Sequence, residues 1–344
     1  MLSIQHSEGY WVGELMVDST LVSDMVAFHH WDDSVDPEWQ RKAVNHIFSM
    51  QLPDGGWNIY HGGPAEVNAT IKAYLALKLA GIPVTDPRML RAREVAMNLG
   101  GVPRMNTFSK LYLALLGLFP WEYVPTIPCE VLLIGKWFHV NFWDMSNWSR
   151  AMLVPLAIIN HFKPTQPPKN RVTLDELYPQ GFHERDLALP PDPERFSLRN
   201  FFLWLDRLHK FAEVFAQNGI HPFRKSALRK AEKWMLERFE GSDGLAAIFP
   251  AMLNSIIALK ALGYSNENPI LQREWKELKR LQHETKDSVR IEPCFSPVWD
   301  TAIVAICLRE SGIPADHPQL VRAGEWLMTK EIRFKGDWQY KNPV

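Results

Sequence analysis

The acidic residues whose spacing suits acid–base chemistry are Asp32 and Asp33, adjacent in the stretch WDDSVD. Paired carboxylates can divide the roles of proton donor and acceptor when their environments push their pKa values apart. The flanking residues here are polar and typical of a turn, which favours a solvated pair over a catalytic one. Motifs that cradle phosphates or hold a protease metal, G-x-x-x-x-G-K-[ST], G-x-G-x-x-G and H-E-x-x-H, do not occur.

Sulfur and imidazole ligands show no metal-binding pattern either. Cys129, Cys294 and Cys307 are odd in number and lack C-x-x-C spacing, which argues against a disulfide scaffold or a zinc site. The 12 histidines are dispersed, and the pair His29–His30 is more typical of a surface than of a ligand set. We therefore expect no metal and no cofactor.

Composition limits the class of protein. The net charge is −1 with a pI near 6.9, so nothing in the composition suggests a nucleic-acid partner, whose binding requires a basic face. No run approaches the ~20 apolar residues of a spanning helix, and the first residues do not have the pattern of a signal peptide. These features predict an intracellular chain that is soluble or peripheral to a membrane.

The elements that must position any site form a repeat. In QLPDGGW, Gln51 precedes Trp57 by six residues, and Gln5 precedes Trp11 by the same number in QHSEGYW. Related stretches end in Gly336-Asp337-Trp338 and, without the tryptophan, lie at 229–245 and 91–102. The period is about 45 residues. In each turn the Gln amide is expected to join the ends of two helices, while the glycines allow positive φ and the indole covers the joint.

Three of these turns precede helical patterns rich in small residues, TIKAYLALKLAG, NSIIALKALG and TAIVAICLRESG, each closed by a glycine. Two helices per repeat predict stacked helical hairpins, with strands minor. The natural closed form is an α/α barrel, and the open alternative is a solenoid.

Residues 163–200 interrupt the repeat with two proline-rich stretches, KPTQPPKN and ALPPDPERF. They predict either a functional loop or a partly ordered insertion. The helix that follows carries a stripe of Phe201, Phe202, Trp204, Leu205 and Leu208. A buried amphipathic helix is the favoured interpretation of this stripe, and a helix seated on a membrane is the alternative.

The Gln–Gly–Trp turns resemble the QW motif of squalene cyclases. Five stretches, in order, are similar to bacterial squalene–hopene cyclases: QLPDGGWNIYHGGPAEVNATIKAYLALKLAG, GLFPWEYVPTIPCEVLLIGKWF, SNWSRAMLVPL, HPFRKSALRKAEKWMLERFEGSDGL and SPVWDTAIVAICLRESGIPADH. The resemblance implies a monotopic enzyme of the cytoplasmic membrane face that folds squalene between two α/α barrels, protonates it and releases hopene or hopanol. It also implies three segments: a remnant of the larger barrel at 1–12, the smaller barrel at 13–290 and the start of the larger barrel at 291–344.

The resemblance also implies substrate-cavity positions, on the reasoning that aromatic faces stabilise carbocations without acting as bases. The implied cavity residues are Phe108, Trp148, Ile248, Phe249, Pro250 and Trp299, with Asp24 in a polar network near the protonation end. Met145 and Leu153 match a channel constriction. Asn106 departs from the family at a position where an arginine is expected.

The protonating Asp-x-Asp-Asp motif of these enzymes does not occur in the 344 residues, so no catalytic residue is assigned. Both ends of the sequence fall inside repeats, and we expect an amino-terminal portion of a cyclase, inactive alone, that works with a carboxy-terminal half. A non-catalytic lipid-binding subunit that completes its cavity with a separate acid-bearing chain is the second hypothesis. The third is a prenyltransferase subunit of α/α-barrel fold, although the cysteines lack the context of its zinc ligands.

Overall fold

A computed structural model describes residues 1–138, 141–179, 187–216, 223–240 and 242–333. The helices are α1 Thr20–Trp31, α2 Pro37–Ser49, α3 Val67–Leu79, α4 Pro87–Asn98, α5 Thr107–Leu115, α6 Asn147–Phe162, α7 Leu198–Ala216, α8 Arg224–Glu237, α9 Phe249–Ala261, α10 Pro269–Arg280, α11 Pro297–Glu310 and α12 Pro318–Thr329. Two strands, β1 Gln282–Glu284 and β2 Val289–Ile291, pair antiparallel, with Gln282 opposite Ile291. The all-α class with minor strands is therefore confirmed; the predicted turn at Gly336-Asp337-Trp338 lies outside the described residues.

The chain divides into two compact units. One unit comprises residues 1–16 and 292–344, and the other comprises residues 17–291. The longer unit is thus inserted, in chain order, into the shorter one.

Within the longer unit the helices form two layers. Helices α1, α3, α5, α6 and α9 bury most of their residues, and α1 packs against α3 while α6 packs against α9. Helices α2, α4, α8 and α10 bury only one stripe each, and α4, α8 and α10 pack on α3, α6 and α9. Small residues such as Ala69, Ala73 and Ala76 let the inner helices approach closely, as the helical-hairpin repeat predicts.

The inner helices end at the predicted glycines. Gly81, Gly263 and Gly312 each follow the last helical residue by two positions and have φ values of +86°, +96° and +89°. After α3, the Gly81 N–H donates to the Lys78 carbonyl and the Ile82 N–H donates to the Leu77 carbonyl. This pair of hydrogen bonds is the Schellman motif, which satisfies carbonyls that the helix leaves open.

The Gln51 amide forms the clasp predicted from the sequence. Its Nε2 donates to the Gly55 carbonyl at 2.8 Å and to the Arg88 carbonyl, in the first turn of α4, at 3.0 Å. The Trp57 indole is buried and donates through Nε1 to the Ile47 carbonyl at 2.7 Å. A side chain at Gly55 would collide with Arg91, so the turn requires glycine there.

The Gln5 turn repeats this geometry in the shorter unit. Gln5 Nε2 donates to the carbonyls of Gly9 and Gln319, both at 2.8 Å. The Trp11 N–H donates to Thr301 Oγ1 at 2.9 Å, although the two residues are 290 positions apart. The corresponding partners Trp57 and Thr70 are 13 positions apart. The same local motif is therefore assembled once from adjacent and once from distant segments.

The proline-rich excursion is ordered where the structure describes it. Glu176 accepts hydrogen bonds from Tyr74 Oη at 2.9 Å and from Lys78 Nζ, and Asn170 Nδ2 donates to the Leu79 carbonyl at 2.9 Å. This loop therefore covers the end of α3.

The favoured interpretation of the α7 stripe was wrong. Phe202 and Trp204 are 58% and 57% exposed, and Leu198, Phe201, Leu205, Leu208 and Phe211 are exposed with them. The polar side of α7 contacts the rest of the unit, because Asp206 accepts the Thr126 N–H at 2.7 Å. No described helix is long and apolar enough to cross a membrane.

Candidate functional site

The sequence-predicted cavity aromatics share one structural position. Phe108 is the second residue of α5, Trp148 is the second of α6, Phe249 is the first of α9 and Trp299 is the third of α11. All four therefore lie in the first turn of a helix that follows the inner-helix pattern. The sequence resemblance supplied the residues, and the structure shows that they share this register.

Capping residues fix the direction of these first turns. Asn106 caps α5 by accepting the Ser109 N–H at 2.9 Å, and Ser146 caps α6 by accepting the Ser149 N–H at 3.1 Å. Such caps satisfy backbone donors that the helix start leaves open. Asn106, the departure from the family pattern, thus has a clear local role here.

The candidate residues differ in exposure. Phe108 and Trp148 are 51% and 60% exposed, whereas Ile248 and Phe249 are buried and Pro250 is half-buried. Met145 and Leu153, the predicted constriction residues, are both half-buried near the start of α6. Among the sequence-predicted cavity residues of the longer unit, the exposed aromatic rings are therefore those of Phe108 and Trp148.

In the shorter unit, Trp299 is 70% exposed. It is held at the start of α11, where Ser296 Oγ donates to Asp300 Oδ1 at 3.0 Å and the Asp300 N–H donates to the Ser296 carbonyl at 2.8 Å. An exposed indole at a well-anchored helix start is unusual for a residue whose role is core packing.

Asp24 belongs to a buried polar network that connects the inner helices. Its carboxylate accepts a hydrogen bond from Lys72 Nζ of α3 at 2.8 Å. Lys72 also lies 5.5 Å from the centre of the Tyr112 ring, and Tyr112 Oη donates to Asn254 Oδ1 at 3.0 Å. Four helices, α1, α3, α5 and α9, thus meet through polar side chains.

Burial is the dominant influence on the pKa values in this network. Burial raises the pKa of Asp24, and attraction to Lys72 opposes that rise. Burial, with the nearby Asp24 charge, also raises the pKa of Tyr112 well above its usual value. The Tyr112 hydroxyl therefore stays protonated and acts as a hydrogen-bond donor.

The remaining carboxylates that could serve as acids are also paired. Asp32 forms an ion pair with Lys260 and its side chain is only 8% exposed, so the expectation of a solvated turn was wrong for this residue. Asp33 does lie in solvent, 2.6 Å from the exposed Lys169. Each of these two carboxylates therefore contacts a lysine ammonium.

The histidine pair does not form a metal site. His29 packs against the rings of Trp39 and Trp275, and His30 Nε2 lies 2.8 Å from Gln40 Oε1. Among the described residues, no group of three or more His, Cys, Asp or Glu side chains could hold a metal ion.

Comparison with known proteins identifies the family. The squalene-hopene cyclase N-terminal domain matches residues 1–287, and the squalene-hopene cyclase C-terminal domain matches residues 295–344. The chain belongs to the squalene-hopene cyclase family. The resemblance found in the sequence is thereby confirmed.

Several known proteins are similar to this chain over nearly its whole length. The chain is 36% identical to dammaradiene synthase of Dryopteris crassirhizoma, covering 96% of this chain and 48% of that protein. It is 34% identical to the squalene–hopene cyclase of Alicyclobacillus acidocaldarius and 35% identical to that of Zymomonas mobilis, covering 100% of this chain and 53% and 52% of those proteins. The chain spans about half the length of the curated relatives it matches.

Sequence reasoning missed Lys72, Tyr112 and Asn254. A signal for the first was present, because Lys72 interrupts the apolar and small residues of TIKAYLALKLAG. A charge on an inner helix requires a partner of opposite sign, and Asp24 on the neighbouring inner helix is that partner.

Proposed function

We propose that this chain is the amino-terminal, cavity-forming portion of a squalene–hopene-type triterpene cyclase. Its substrate would be squalene or a similar linear C30 isoprenoid, cyclised to hopene or hopanol. The observation that carries the proposal is the placement of Phe108, Trp148, Phe249 and Trp299 in first helical turns within a chain of this family. Three of the four, Phe249 excepted, present an exposed ring.

Exposed aromatic rings suit the chemistry of cation cyclisation. A carbocation is attracted to the negative face of an aromatic ring, most strongly to tryptophan, and a ring offers no base that would remove a proton early. Trp148 and Trp299 would each stabilise positive charge, and the buried Ile248 and Phe249 would contribute to the cavity wall.

The initiating acid would come from elsewhere. The Asp-x-Asp-Asp motif does not occur in the sequence, and Asp24, Asp32 and Asp33 each lie beside a lysine. We therefore propose that the chain does not cyclise squalene alone and works with a carboxy-terminal half that supplies the acid. If that half is a separate polypeptide, this chain is a lipid-binding subunit of a split cyclase.

The exposed apolar face of α7 supports a membrane-associated role. Its members are Leu198, Phe201, Phe202, Trp204, Leu205, Leu208 and Phe211. A helix with one apolar and one polar face can lie in the membrane interface without crossing it. We propose peripheral, monotopic attachment at the cytoplasmic face, where the substrate would enter from the bilayer.

A complementation assay tests the proposal. Squalene in detergent is incubated with the chain alone, with an acid-bearing carboxy-terminal half of a bacterial relative alone, and with both, and products are separated by gas chromatography and mass spectrometry. We expect pentacyclic product only from the mixture. Product from the chain alone would overturn the assignment of the acid to the other half.

A variant separates cavity formation from mere assembly. Trp148→Ala should reduce product in the mixture while leaving association of the two halves unchanged, as measured by analytical ultracentrifugation. If a mixture that associates yields no product with the unsubstituted chain, the cyclase proposal fails.

A further inference from the structure

In the turns containing Trp57 and Trp11, a threonine hydroxyl hydrogen-bonds both the N–H and the carbonyl of the tryptophan. We call this pair of hydrogen bonds a bracket. Thr70 Oγ1 accepts the Trp57 N–H at 3.1 Å and lies 3.4 Å from the Trp57 carbonyl, to which it donates. Thr301 Oγ1 likewise accepts the Trp11 N–H at 2.9 Å and donates to the Trp11 carbonyl at 3.2 Å. A hydroxyl is suited to this place because it both accepts and donates.

The turn before α9 lacks this threonine. Thr70 and Thr301 each precede the closing glycine of their helix by 11 residues, and Met252 has the same relation to Gly263. Met252 also faces the turn, since a side chain at Gly244 would touch it at 2.6 Å. Leu245 is the buried residue that follows Gly244, whose φ is positive. The thioether of Met252 has no proton to donate, so it cannot hydrogen-bond both the N–H and the carbonyl of Leu245 as a hydroxyl would.

A carboxyl approaches the same turn from the outer layer. Ala92 of α4 and Ala323 of α12 are fully buried and each lies five residues after the first proline of its helix. In α10 the residue five positions after Pro269 is Glu274, which is also 0% exposed. Ala323 packs against Trp11, so this helix position faces the turn. In α10 the same position holds the larger Glu274, and the turn that it faces has no tryptophan.

We propose that the Glu274 carboxyl takes over the bracketing role of the threonine hydroxyl at the turn containing Leu245. It would accept the Leu245 N–H with one oxygen and donate a proton from the other to a carbonyl of the turn. Neither Glu274 oxygen has another hydrogen-bond partner within the described part of the chain. A neutral carboxyl, like a hydroxyl, carries both functions, whereas a carboxylate only accepts.

The electrostatics support a retained proton. Burial raises the pKa of Glu274 to about 7, opposed by attraction to Arg273 and the Leu245 N–H and assisted by repulsion from Glu277. Other charges at this turn are engaged elsewhere: Arg273 donates to the carbonyls of Phe239 and Ser242, and Arg280 pairs with Asp243 and Glu277. The bracket should therefore hold below neutral pH and open above it.

The bracketed segment continues directly into Ile248, Phe249 and Pro250. Glu274 is on this argument a positioning residue for that wall, a consequence that rests on the proposed function. The bracket itself does not, and it can be tested on the chain without substrate.

Hydrogen–deuterium exchange of the segment around Leu245 tests the bracket in the full chain. At about pH 6 the segment should be protected, and at about pH 8.5 its protection should fall about tenfold beyond the intrinsic effect of pH. The turn containing Trp57, in the same molecule, is the internal control and should show no such change. Equal protection at the two pH values after that correction would overturn the proposal.

Three variants sharpen the result. Glu274→Gln, whose amide accepts and donates, should keep the segment protected at both pH values, and Glu274→Ala should lose protection at both. Adding Met252→Thr to Glu274→Ala should restore it by rebuilding the bracket found at the other turns. Identical behaviour of the Gln and Ala variants would contradict the bracket, and the pH profile of the unsubstituted chain remains decisive if a variant fails to fold.

Discussion

At the scale of single residues, exposure separates tryptophans that hold the fold from tryptophans available to a ligand. Trp57 is buried and hydrogen-bonded, whereas Trp148 is 60% exposed at a capped helix start. Trp57→Ala should lower the free energy of unfolding by about 3–5 kcal/mol, because it empties a packed site.

Trp148→Ala should change that free energy by less than about 0.5 kcal/mol, because little of the side chain is packed. Chemical denaturation of both variants measures the contrast. Its functional counterpart is the complementation assay, in which the same substitution should reduce product. A large loss of stability in Trp148→Ala would assign this residue to the core.

The Asp24–Lys72 pair should show strong coupling. Removing one partner leaves a buried charge alone, so Lys72→Met should destabilise the chain by about 3 kcal/mol. The double variant Asp24→Leu/Lys72→Met should be close to the unsubstituted chain, because no charge is left stranded. A double-mutant cycle measured by urea unfolding gives the coupling, and purely additive effects would contradict it.

At the scale of elements, the Gln clasp is a repeated device. Gln51→Ala removes hydrogen bonds to two carbonyls and should cost about 1–2 kcal/mol of unfolding free energy. Gln40→Ala provides a matched comparison on α2, where the amide oxygen contacts the ring of His30 instead of a helix end. Thermal unfolding measures both, and an equal effect would remove the special role of the clasp.

Helix α7 should bind lipid through its apolar face. Trp204→Glu and Phe202→Glu should weaken co-sedimentation with phospholipid vesicles several-fold, because a charge must then enter the interface. Neither substitution should lower stability in solution, since both side chains face solvent. Unchanged vesicle binding by the double variant would exclude this face as the attachment site.

The local devices could be predicted from the sequence, whereas the long-range pairings could not. The closing glycines, the Gln51 clasp and the helical hairpins are encoded within about 40 residues, so spacing alone reveals them. Asp24 and Lys72 are 48 positions apart and follow no motif. The exposure of α7 was missed because a helical stripe shows that a face is apolar but not what covers it.

At the scale of the whole molecule, lowering the pH should reduce the free energy of unfolding of the longer unit through protonation of His29. Its ring packs between aromatic side chains, and burial lowers its pKa to about 4, against attraction to Asp32 that raises it. The unfolded state therefore binds a proton first as the pH falls, and stability is lost from about pH 6.5 down to about pH 4. The loss should reach about 3 kcal/mol, and His29→Phe should reduce it in urea titrations at several pH values.

The contact between Trp11 and Thr301 also dictates an order of events on the ribosome. The two residues are separated by 290 positions, so at about 5–20 residues per second the tryptophan emerges about 15–60 s before its partner exists. Throughout that interval the inserted unit, residues 17–291, is being synthesised and can fold. The turn containing Trp11 is therefore completed only after the inserted unit has been made, and until then its indole is a natural target for a chaperone.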